Sequence, residues 1–322
     1  MSRVFNSKDI SIILTCYREG ILLLRALDSL KNQTVQGFTI IIVNDASTDK
    51  ETCRILDALG ENDGYHIINH QMNMGLSAAR NSGFRFMKTA LAMPLDADDT
   101  LPENAIEKTV EAFNRHPDAD MIFGDYAIVS TDGASDKCVA CDGLANDKRE
   151  LSLEALAKNW ILMGQSPCKK ALWSKINGYS LEFSNTVQDV DFWRRAALAG
   201  LKGYYAGALL YHWHRSDTGM NNQVREKDYL PLRIKSLPFY DRFNPEYGLE
   251  MRQYVYRYYS ARLQSQPLLD FLKQEGNYFS AVQKAKAQLM RAPILYKVLR
   301  RLKTVLYTLF GFRQNSTRRP AE

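Results

Sequence analysis

The sequence predicts an α/β protein built on a doubly wound sheet, with a helical appendage at its C-terminal end. In the first hundred residues, short apolar runs rich in β-branched residues alternate with segments of helical periodicity. The apolar runs are nearly continuous, as expected for parallel strands that are buried on both faces. Polar clusters follow directly after three of these runs, where ligands bind in sheets of this kind.

The predicted elements follow one another in strict alternation. The first strand, Ile10 to Thr15, is followed by a helix whose leucines and alanines recur at three-to-four spacing. The second strand leads into a helix for which Thr48 or Asp49 is a suitable N-cap. The strands are predicted at residues 10–15, 38–43, 65–68 and 91–95, and the helices at 22–30, at about 50–59 and opening within 73–84.

An acidic turn, Asp96-Ala97-Asp98-Asp99, follows the fourth strand and precedes a helix predicted to hold Pro102 in its first turn. Three carboxylates at one strand end repel one another. A hard divalent cation such as Mg²⁺ or Mn²⁺ would relieve that repulsion, because these ions prefer oxygen ligands. The alternative interpretation is a solvated acidic turn that also caps the helix.

The carboxyl ends of parallel strands lie at one edge of a sheet, so three polar clusters are expected to converge on one crevice. These are Thr15-Cys16-Tyr17, Asn44-Asp45 and Asp96-Ala97-Asp98.

Taken in order, these motifs resemble glycosyltransferase family 2, of the bacterial type. The resemblance extends from residue 8 to about residue 220. It includes Thr15-Cys16-Tyr17, Ser29-Leu30-x-x-Gln33-Thr34, Ile42-Val43-Asn44-Asp45-Ala46-Ser47-Thr48-Asp49, Asn73-x-Gly75-x-x-x-Ala79-Arg80-Asn81-x-Gly83, Leu95-Asp96-Ala97-Asp98-Asp99, Lys175-Ile176-Asn177-Gly178-Tyr179 and Gln188-Asp189-x-Asp191-Phe192-Trp193-x-Arg195. The resemblance implies a GT-A fold, which is a Rossmann-like mixed sheet, and an inverting transfer from a nucleotide-sugar donor.

The resemblance also implies roles for the residues of the crevice. Asp98 would touch a Mn²⁺ or Mg²⁺ ion, and Asp96 would face the ribose or the metal. Arg80 would reach the nucleotide, and its alternative is a surface arginine on a helix. Most relatives have an acid where Asn44 stands, which leaves the base identity open although a UDP-linked donor is expected. The base pocket would be lined by Thr15, Tyr17, Asn44 and Asp45.

Asp189 is the expected general base, because the family places such an acid second in a Glu-Asp pair at the start of a helix. Here the pair reads Gln188-Asp189. A carboxylate within hydrogen-bond reach can accept the proton of an attacking hydroxyl. Asp191 is the alternative base, and it can also pair with Arg194 or Arg195 on the same helix.

His214 is the expected histidine of the metal site, because many relatives carry a histidine shortly before a serine, here Ser216. His212 lies two residues earlier and would share its face of a strand, so either could serve. The alternative is a satisfied surface histidine beside aromatic residues.

Charge divides the chain into two predicted domains. The net charge is +6, yet residues 221–322 hold 19 Lys and Arg against 8 Asp and Glu. Residues 1–220 form the predicted GT-A domain, and residues 221–322 a basic, mostly helical region. Its last predicted helix, 293–310, has an apolar stripe beside Lys297, Arg300, Arg301 and Lys303. It would bind an anionic membrane surface or pack on its own domain. No nucleic-acid-binding signature accompanies these charges.

The five cysteines form no disulfide framework, and the sequence shows neither a signal peptide nor a transmembrane stretch. These features favour a cytoplasmic protein, in solution or peripheral on the inner face of the cell membrane. The expected activity is metal-dependent transfer of a sugar, of hexosyl or N-acetylhexosaminyl type, to a hydroxyl of a glycan or lipid-linked acceptor. The alternatives are a nucleotidyltransferase that makes a sugar nucleotide and a non-catalytic sugar-nucleotide-binding protein.

Overall fold

The computed structural model describes residues 3–59, 64–130, 137–183, 187–215 and 226–291. The chain divides into two compact units at Pro245 and Glu246. No helix in these described ranges is long and apolar enough to cross a membrane.

The first unit contains a mixed sheet of eight strands among the described residues. Four strands run parallel in the order β3-β2-β1-β4, and β7, β5 and β6 continue the sheet, with β8 parallel to β5. The α/β doubly wound prediction is therefore confirmed. The strands are β1 Ile10–Cys16, β2 Thr39–Asn44, β3 Tyr65–Asn69, β4 Leu91–Asp96, β5 Met121–Ser130, β6 Lys137–Val139, β7 Cys168–Lys169 and β8 Gly203–Arg215.

The helices lie between and after these strands. Those of the first unit are α1 Leu22–Lys31, α2 Lys50–Ala58, α3 Leu76–Phe86, α4 Ala105–Arg115, α5 Leu153–Lys158, α6 Lys170–Lys175, α7 Gln188–Leu198, α8 Glu226–Lys235 and α9 Leu237–Phe243. Next come α10 Pro245–Ala261, α11 Ser265–Glu275 and α12 Ala281–Leu289.

The period of two along β1 explains the two apolar layers. Every residue of β1 is buried, and alternate side chains enter opposite faces of the sheet. Ile12 and Leu14 pack into the core with α1 and α4, whereas Ile13 packs into the core with α3 and α7. Burial on both faces explains why this strand is an unbroken apolar run in the sequence.

The predicted strand and helix order is confirmed, with ends that differ by a residue or two. Asp49 is the N-cap of α2, because its carboxylate accepts a hydrogen bond from Thr52 N. The prediction that Pro102 lies in the first turn of a helix was wrong. The chain first makes a separate turn, in which Ala105 N donates to Pro102 O, and α4 begins at Ala105.

In the C-terminal region, the sequence also predicts helices at 250–263, 267–274 and 277–290. α10, α11 and α12 match them, whereas α8 and α9 were not foreseen. The predicted domain boundary near Asn221 lies outside the described residues, and so does the basic segment 293–310. Both stay predictions.

Replacing Gly83 with alanine tests the packing of α3 on β1. A Cβ at Gly83 would lie 2.3 Å from Ile13 Cγ2, and the buried, β-branched Ile13 has no room to move. Alanine favours a helix interior over glycine by about 1 kcal/mol, but overpacking a core costs roughly 1–3 kcal/mol. We expect the clash to prevail and the free energy of unfolding, measured in urea, to fall by about 1–2 kcal/mol.

Gly143→Ala is the matched control, since a Cβ there would meet nothing within 4 Å. Its free energy of unfolding should stay within about 0.5 kcal/mol of the wild-type value. A Gly83→Ala variant more stable than wild type would contradict the described packing.

Candidate functional site

The candidate site lies at the carboxyl edge of the parallel strands. β1 and β4 are aligned so that Thr15 is opposite Asp96, and β1 and β2 so that Cys16 is opposite Asn44. Thr15 Oγ1 donates a hydrogen bond of 3.1 Å to Asp96 Oδ1. Asp45 N donates a hydrogen bond of 2.9 Å to Cys16 O. The first cluster therefore contacts both of the others, and the structure brings all three predicted polar clusters together.

Asp96 is the most heavily hydrogen-bonded carboxylate of this edge. Arg80 Nη2 lies 2.9 Å from both of its oxygens, and Gln165 Nε2 donates to Oδ2 at 2.5 Å. Arg80 is only 1% exposed, so it is not the surface arginine of the alternative interpretation. Burial acts to lower the pKa of Arg80, but the negative charges of Asp96, Tyr179 and Asp189, together with the hydrogen bond to Asp96, outweigh it and raise the pKa above its usual value. The result is a charged pair in which Arg80 is buried and the side chain of Asp96 is 20% exposed.

Asp98 has the opposite environment. Its pKa is raised to about 6, first by burial and then by the negative charges of Asp96 and Glu19. Burial and the charge of Asp96 also raise the pKa of Glu19. The nearest cation, Arg25, donates its Nη2 hydrogen bond to the backbone oxygen of Asp98, 2.5 Å away. The carboxylate of Asp98 therefore faces repulsion that its own hydrogen bonds leave unrelieved.

This donor set fits a hard divalent cation. No group of three His, Cys, Asp or Glu side chains that could hold a metal occurs among the residues described here. Mg²⁺ does not need such a group, because it commonly binds one or two carboxylates together with substrate phosphates. The raised pKa of Asp98 shows that its carboxylate lacks a compensating positive charge, which a cation would supply.

Asp99, the third acid of the turn, serves the fold. It is 2% exposed and accepts hydrogen bonds from Tyr211 Oη and His214 N, both at 2.8 Å. Burial, followed by the charges of Asp98 and Asp96, raises the pKa of Asp99 well above its usual value. Asp99 thus connects the acidic turn to β8, the strand that carries the predicted histidine.

The ring of His214 lies against Thr100, with its Nε2 2.9 Å from Thr100 Oγ1, and His212 Nδ1 lies 3.3 Å from the same oxygen. The two histidines share one face of β8, as predicted. A metal-binding role for His214 stays a prediction.

The predicted base pocket lies beside the ends of β1 and β2. Asp45 is buried, and its carboxylate accepts hydrogen bonds from Met74 N at 2.9 Å and Gly75 N at 2.7 Å. The side-chain amide of Asn44 already has two partners, since it donates to Asn69 Oδ1 and accepts from Ser47 N. Tyr17 lies at the end of β1, and the guanidinium of Arg18 stacks 4.6 Å from its ring centroid.

Asp189 lies in the first turn of α7, close to the Arg80–Asp96 pair. Its charge acts on both Arg80 and Tyr179. A Cβ at Gly164 would lie 2.1 Å from Asp189 Oδ2, so this position of the loop before β7 has no space for a side chain. The next residue, Gln165, is the one that contacts Asp96. Two consecutive loop residues therefore join the expected general base to the acidic turn.

Asp191 is committed to an ion pair. It is 5% exposed, and its Oδ2 accepts a hydrogen bond of 2.8 Å from Arg195 Nε. Arg195 also donates to the backbone oxygens of Ile176 and Gly178. This arrangement is one of the two pairings expected for Asp191, and it fixes α7 to the loop after α6.

Several buried polar atoms around Asp189 have no hydrogen-bond partner among the described residues. They are Arg80 Nε, Arg80 Nη1, Tyr179 Oη and Gln188 Oε1. Buried polar groups in folded proteins are normally paired, with protein or with water. Their concentration here marks a polar cluster whose hydrogen-bonding capacity is not satisfied by the described residues.

Sequence reasoning missed Glu19, Gly164 and Gln165. Glu19 follows a matched motif by two residues, and its placement after a buried strand was an available signal. Gly164 and Gln165 carry no such signal, because their importance depends on partners that are 25 and 69 residues away in the chain.

Comparison with known proteins identifies relatives of this chain. The family described as "Glycosyl transferase family 2" matches residues 11–174. An uncharacterized glycosyltransferase of Rickettsia felis is 30% identical over 187 residues, which cover 57% of this chain and 30% of that protein. The teichoic acid poly(glycerol phosphate) polymerase of Staphylococcus epidermidis is 37% identical over 106 residues, which cover 33% of this chain and 15% of that protein.

Among solved structures, S. aureus TarS 1-349 in complex with UDP-GlcNAc aligns with a TM-score of 0.63 at 15% identity, over 89% of this chain and 88% of that chain. At this identity the likeness shows a shared fold, which confirms the GT-A prediction. The chain spans 30% and 15% of the lengths of the two curated relatives described above.

Asp98→Asn should stabilise the protein at neutral pH in the presence of chelator. Because the pKa of Asp98 is raised to about 6 in the folded state, the folded state binds this proton more tightly than the unfolded chain. Its stabilising contribution is full below about pH 4, where the unfolded carboxyl titrates, and it is lost as pH rises through about 6. In thermal denaturation, the melting temperature of the variant should exceed that of wild type by a few degrees at pH 7 and converge with it at pH 4.

Asp57→Asn, at an exposed position of α2, is the control and should show no such pH-dependent difference. If Asp98→Asn melts below wild type at pH 7, the carboxylate is not under the described repulsion.

Proposed function

Because the chain belongs to glycosyltransferase family 2, we propose that it is an inverting, metal-dependent glycosyltransferase. It would move a sugar from a UDP-linked donor to a hydroxyl of a glycan or lipid-linked acceptor. The observation that carries this proposal is the continuity of the site. Gly164 packs against Asp189, and Gln165 bonds Asp96, so the expected general base and the acidic turn belong to one crevice.

The donor end of the crevice would be the carboxyl edge of β1, β2 and β4. Asp45 offers a buried carboxylate to the base, and Thr15 and Tyr17 line the same edge. Asp96 would face the ribose. Its charge is partly compensated by Arg80, which reduces the negative charge that it adds around the diphosphate.

Asp98 would hold the cation together with the two donor phosphates, and His214 is the second candidate ligand. A Mg²⁺ or Mn²⁺ ion bound there neutralises negative charge on the departing diphosphate. Asp98 is suited to hold a cation because the negative charges of Asp96 and Glu19 repel its carboxylate, and a bound cation would relieve that repulsion.

Asp189 would take the proton of the acceptor hydroxyl as that hydroxyl attacks the anomeric carbon. In this single displacement the bond from the new oxygen forms on the face opposite the leaving phosphate, so the configuration inverts. Asp191 is the weaker candidate because its carboxylate is held by Arg195. Arg80, Tyr179 and Gln188 carry buried polar atoms without a partner among the described residues, which is consistent with a polar environment beside Asp189.

The acceptor class follows from the relatives only in outline. One relative is a teichoic acid polymerase, and TarS was solved with UDP-GlcNAc, so cell-surface polymers and N-acetylhexosamine donors are the first to test. We place the enzyme in the cytoplasm or on the inner face of the membrane, with the basic segment 293–310 as the contact to anionic lipid.

The test is turnover with a panel of UDP-sugars and Mn²⁺, with acceptor-independent hydrolysis as a first readout. Asp189→Asn should lower turnover by about 10²–10⁴, the usual contribution of a general base. Its affinity for UDP should change less than about twofold, because the residue acts on the acceptor. Binding is measured by calorimetry with Mn²⁺ present.

Asp191→Asn is the matched control and should lower stability more than turnover, because it breaks the pair with Arg195. Equal losses of UDP affinity and turnover in Asp189→Asn would show that another residue is the general base. Binding of UDP-sugars without any transfer or hydrolysis would favour a non-catalytic binding protein.

The membrane contact is tested by sedimentation with vesicles. Full-length protein should pellet with anionic vesicles at low salt and less at high salt, since each basic residue near such a surface contributes about 1 kcal/mol that salt screens. A chain ending at residue 292 should stay in the supernatant. If full-length protein also stays there, 293–310 has another use, and the truncation should then lower the melting temperature.

A further inference from the structure

Three side chains at the base end of the crevice form an unbroken hydrogen-bonded series. His70 Nδ1 lies 2.7 Å from Asp45 Oδ1, and His70 Nε2 lies 2.8 Å from Ser82 Oγ. The side chains of His70 and Asp45 are 8% and 7% exposed. Asp45 follows directly after β2 and Ser82 lies inside α3, so His70 joins the edge of the sheet to the helix.

The chemistry of these three side chains determines which atom donates in each hydrogen bond. A carboxylate accepts only, so the hydrogen must be on Nδ1 of His70, and that nitrogen donates to Asp45. The hydroxyl of Ser82 can donate or accept at Nε2, and in both cases it holds the imidazole ring in place. The backbone fixes the other side of the residue, since His70 N donates to Asn44 O at 2.9 Å.

Counting acceptor positions shows what remains at Asp45. Its two oxygens can accept about four hydrogen bonds. Oδ1 accepts from His70 Nδ1 and Met74 N, and Oδ2 accepts from Gly75 N. One position on Oδ2 therefore remains. The amide of Asn44 is bonded to Asn69 and Ser47. Asp45 is the carboxylate at this edge that can contact a nucleobase.

We propose that His70 is a positioning residue for nucleobase selection, which orients Asp45 so that its remaining acceptor receives an imide N–H. This inference rests on the proposed function, with a uridine nucleotide as donor. Uracil carries a hydrogen on N3, whereas cytosine has an acceptor at that position. Held still, the carboxylate accepts from uracil and repels cytosine. Released from His70, it can turn toward the exocyclic amino group of cytosine, and the discrimination falls.

A serine, a histidine and an aspartate in contact can also form a hydrolytic triad, but this one lacks the remaining parts. Ser82 lies in the interior of α3, where the neighbouring backbone N–H groups are used by the helix. Within α3, no backbone donor is therefore left beside Ser82 Oγ to stabilise an oxyanion.

The experiment measures the affinities of UDP and CDP by calorimetry for full-length protein and variants. Wild type should prefer UDP. His70→Ala should lower the affinity for UDP about tenfold, as expected for the loss of one hydrogen bond to a charged group. Its affinity for CDP should stay within about twofold of the wild-type value. His70→Asn should restore most of the preference, because its amide nitrogen can occupy the place of Nδ1. His66→Ala, at an exposed position of β3, is the matched control and should bind as wild type does.

The ratio of the two affinities separates positioning from folding. A purely structural role for His70 would lower the melting temperature and weaken both nucleotides equally, with the ratio unchanged in His70→Ala. That outcome overturns the inference while the proposed function stands. If wild type binds neither nucleotide, or binds both equally, the uridine donor itself is wrong and the role of His70 fails with it.

Discussion

The candidate site depends on the pairing of a buried arginine with a partly buried carboxylate. Asp96 ends β4 inside the crevice, where an uncompensated carboxylate would cost several kcal/mol. Arg80, on α3, provides the compensating positive charge. Because Arg80 is only 1% exposed, its own charge also depends on the pairing with Asp96. The pair fixes the helix against the strand end. Gln165 then attaches the loop before β7 to the same carboxylate, which brings Gly164 against Asp189.

This arrangement gives three neighbouring acids three different tasks. The charge of Asp96 is compensated by Arg80, and the carboxylate of Asp99 is hydrogen-bonded to Tyr211 and to the backbone of β8. The pKa of Asp99 is also raised, but its carboxylate is hydrogen-bonded, whereas Asp98, with its pKa raised to about 6, faces the charges of Asp96 and Glu19. The three aspartates of this turn thus differ in charge environment, because their neighbours in space come from other strands and loops. The repulsion at Asp98 is what makes a cation favourable there.

Much of the fold could be predicted because its signals are local. The continuous apolar strands, the helical spacing after each of them and the N-cap at Asp49 are properties of short windows, and the structure agrees with them. The candidate acids could also be selected, because polar residues after buried strands must lie at the carboxyl edge. The start of α4 was misjudged because Pro102 suits a first helical turn as well as the separate turn that it forms.

The sequence by itself determined the order of strands and helices, the edge where the polar residues collect and the family to which the chain belongs. Only the tertiary structure decided which of these residues are available to a ligand. Asn44 is bonded to Asn69, Asp45 is held by His70, and Asp98 is under repulsion from Glu19. The physical reason is that hydrogen bonds and Coulomb interactions act through space. These partners are 25 to 79 positions away in the chain, beyond the reach of any local pattern.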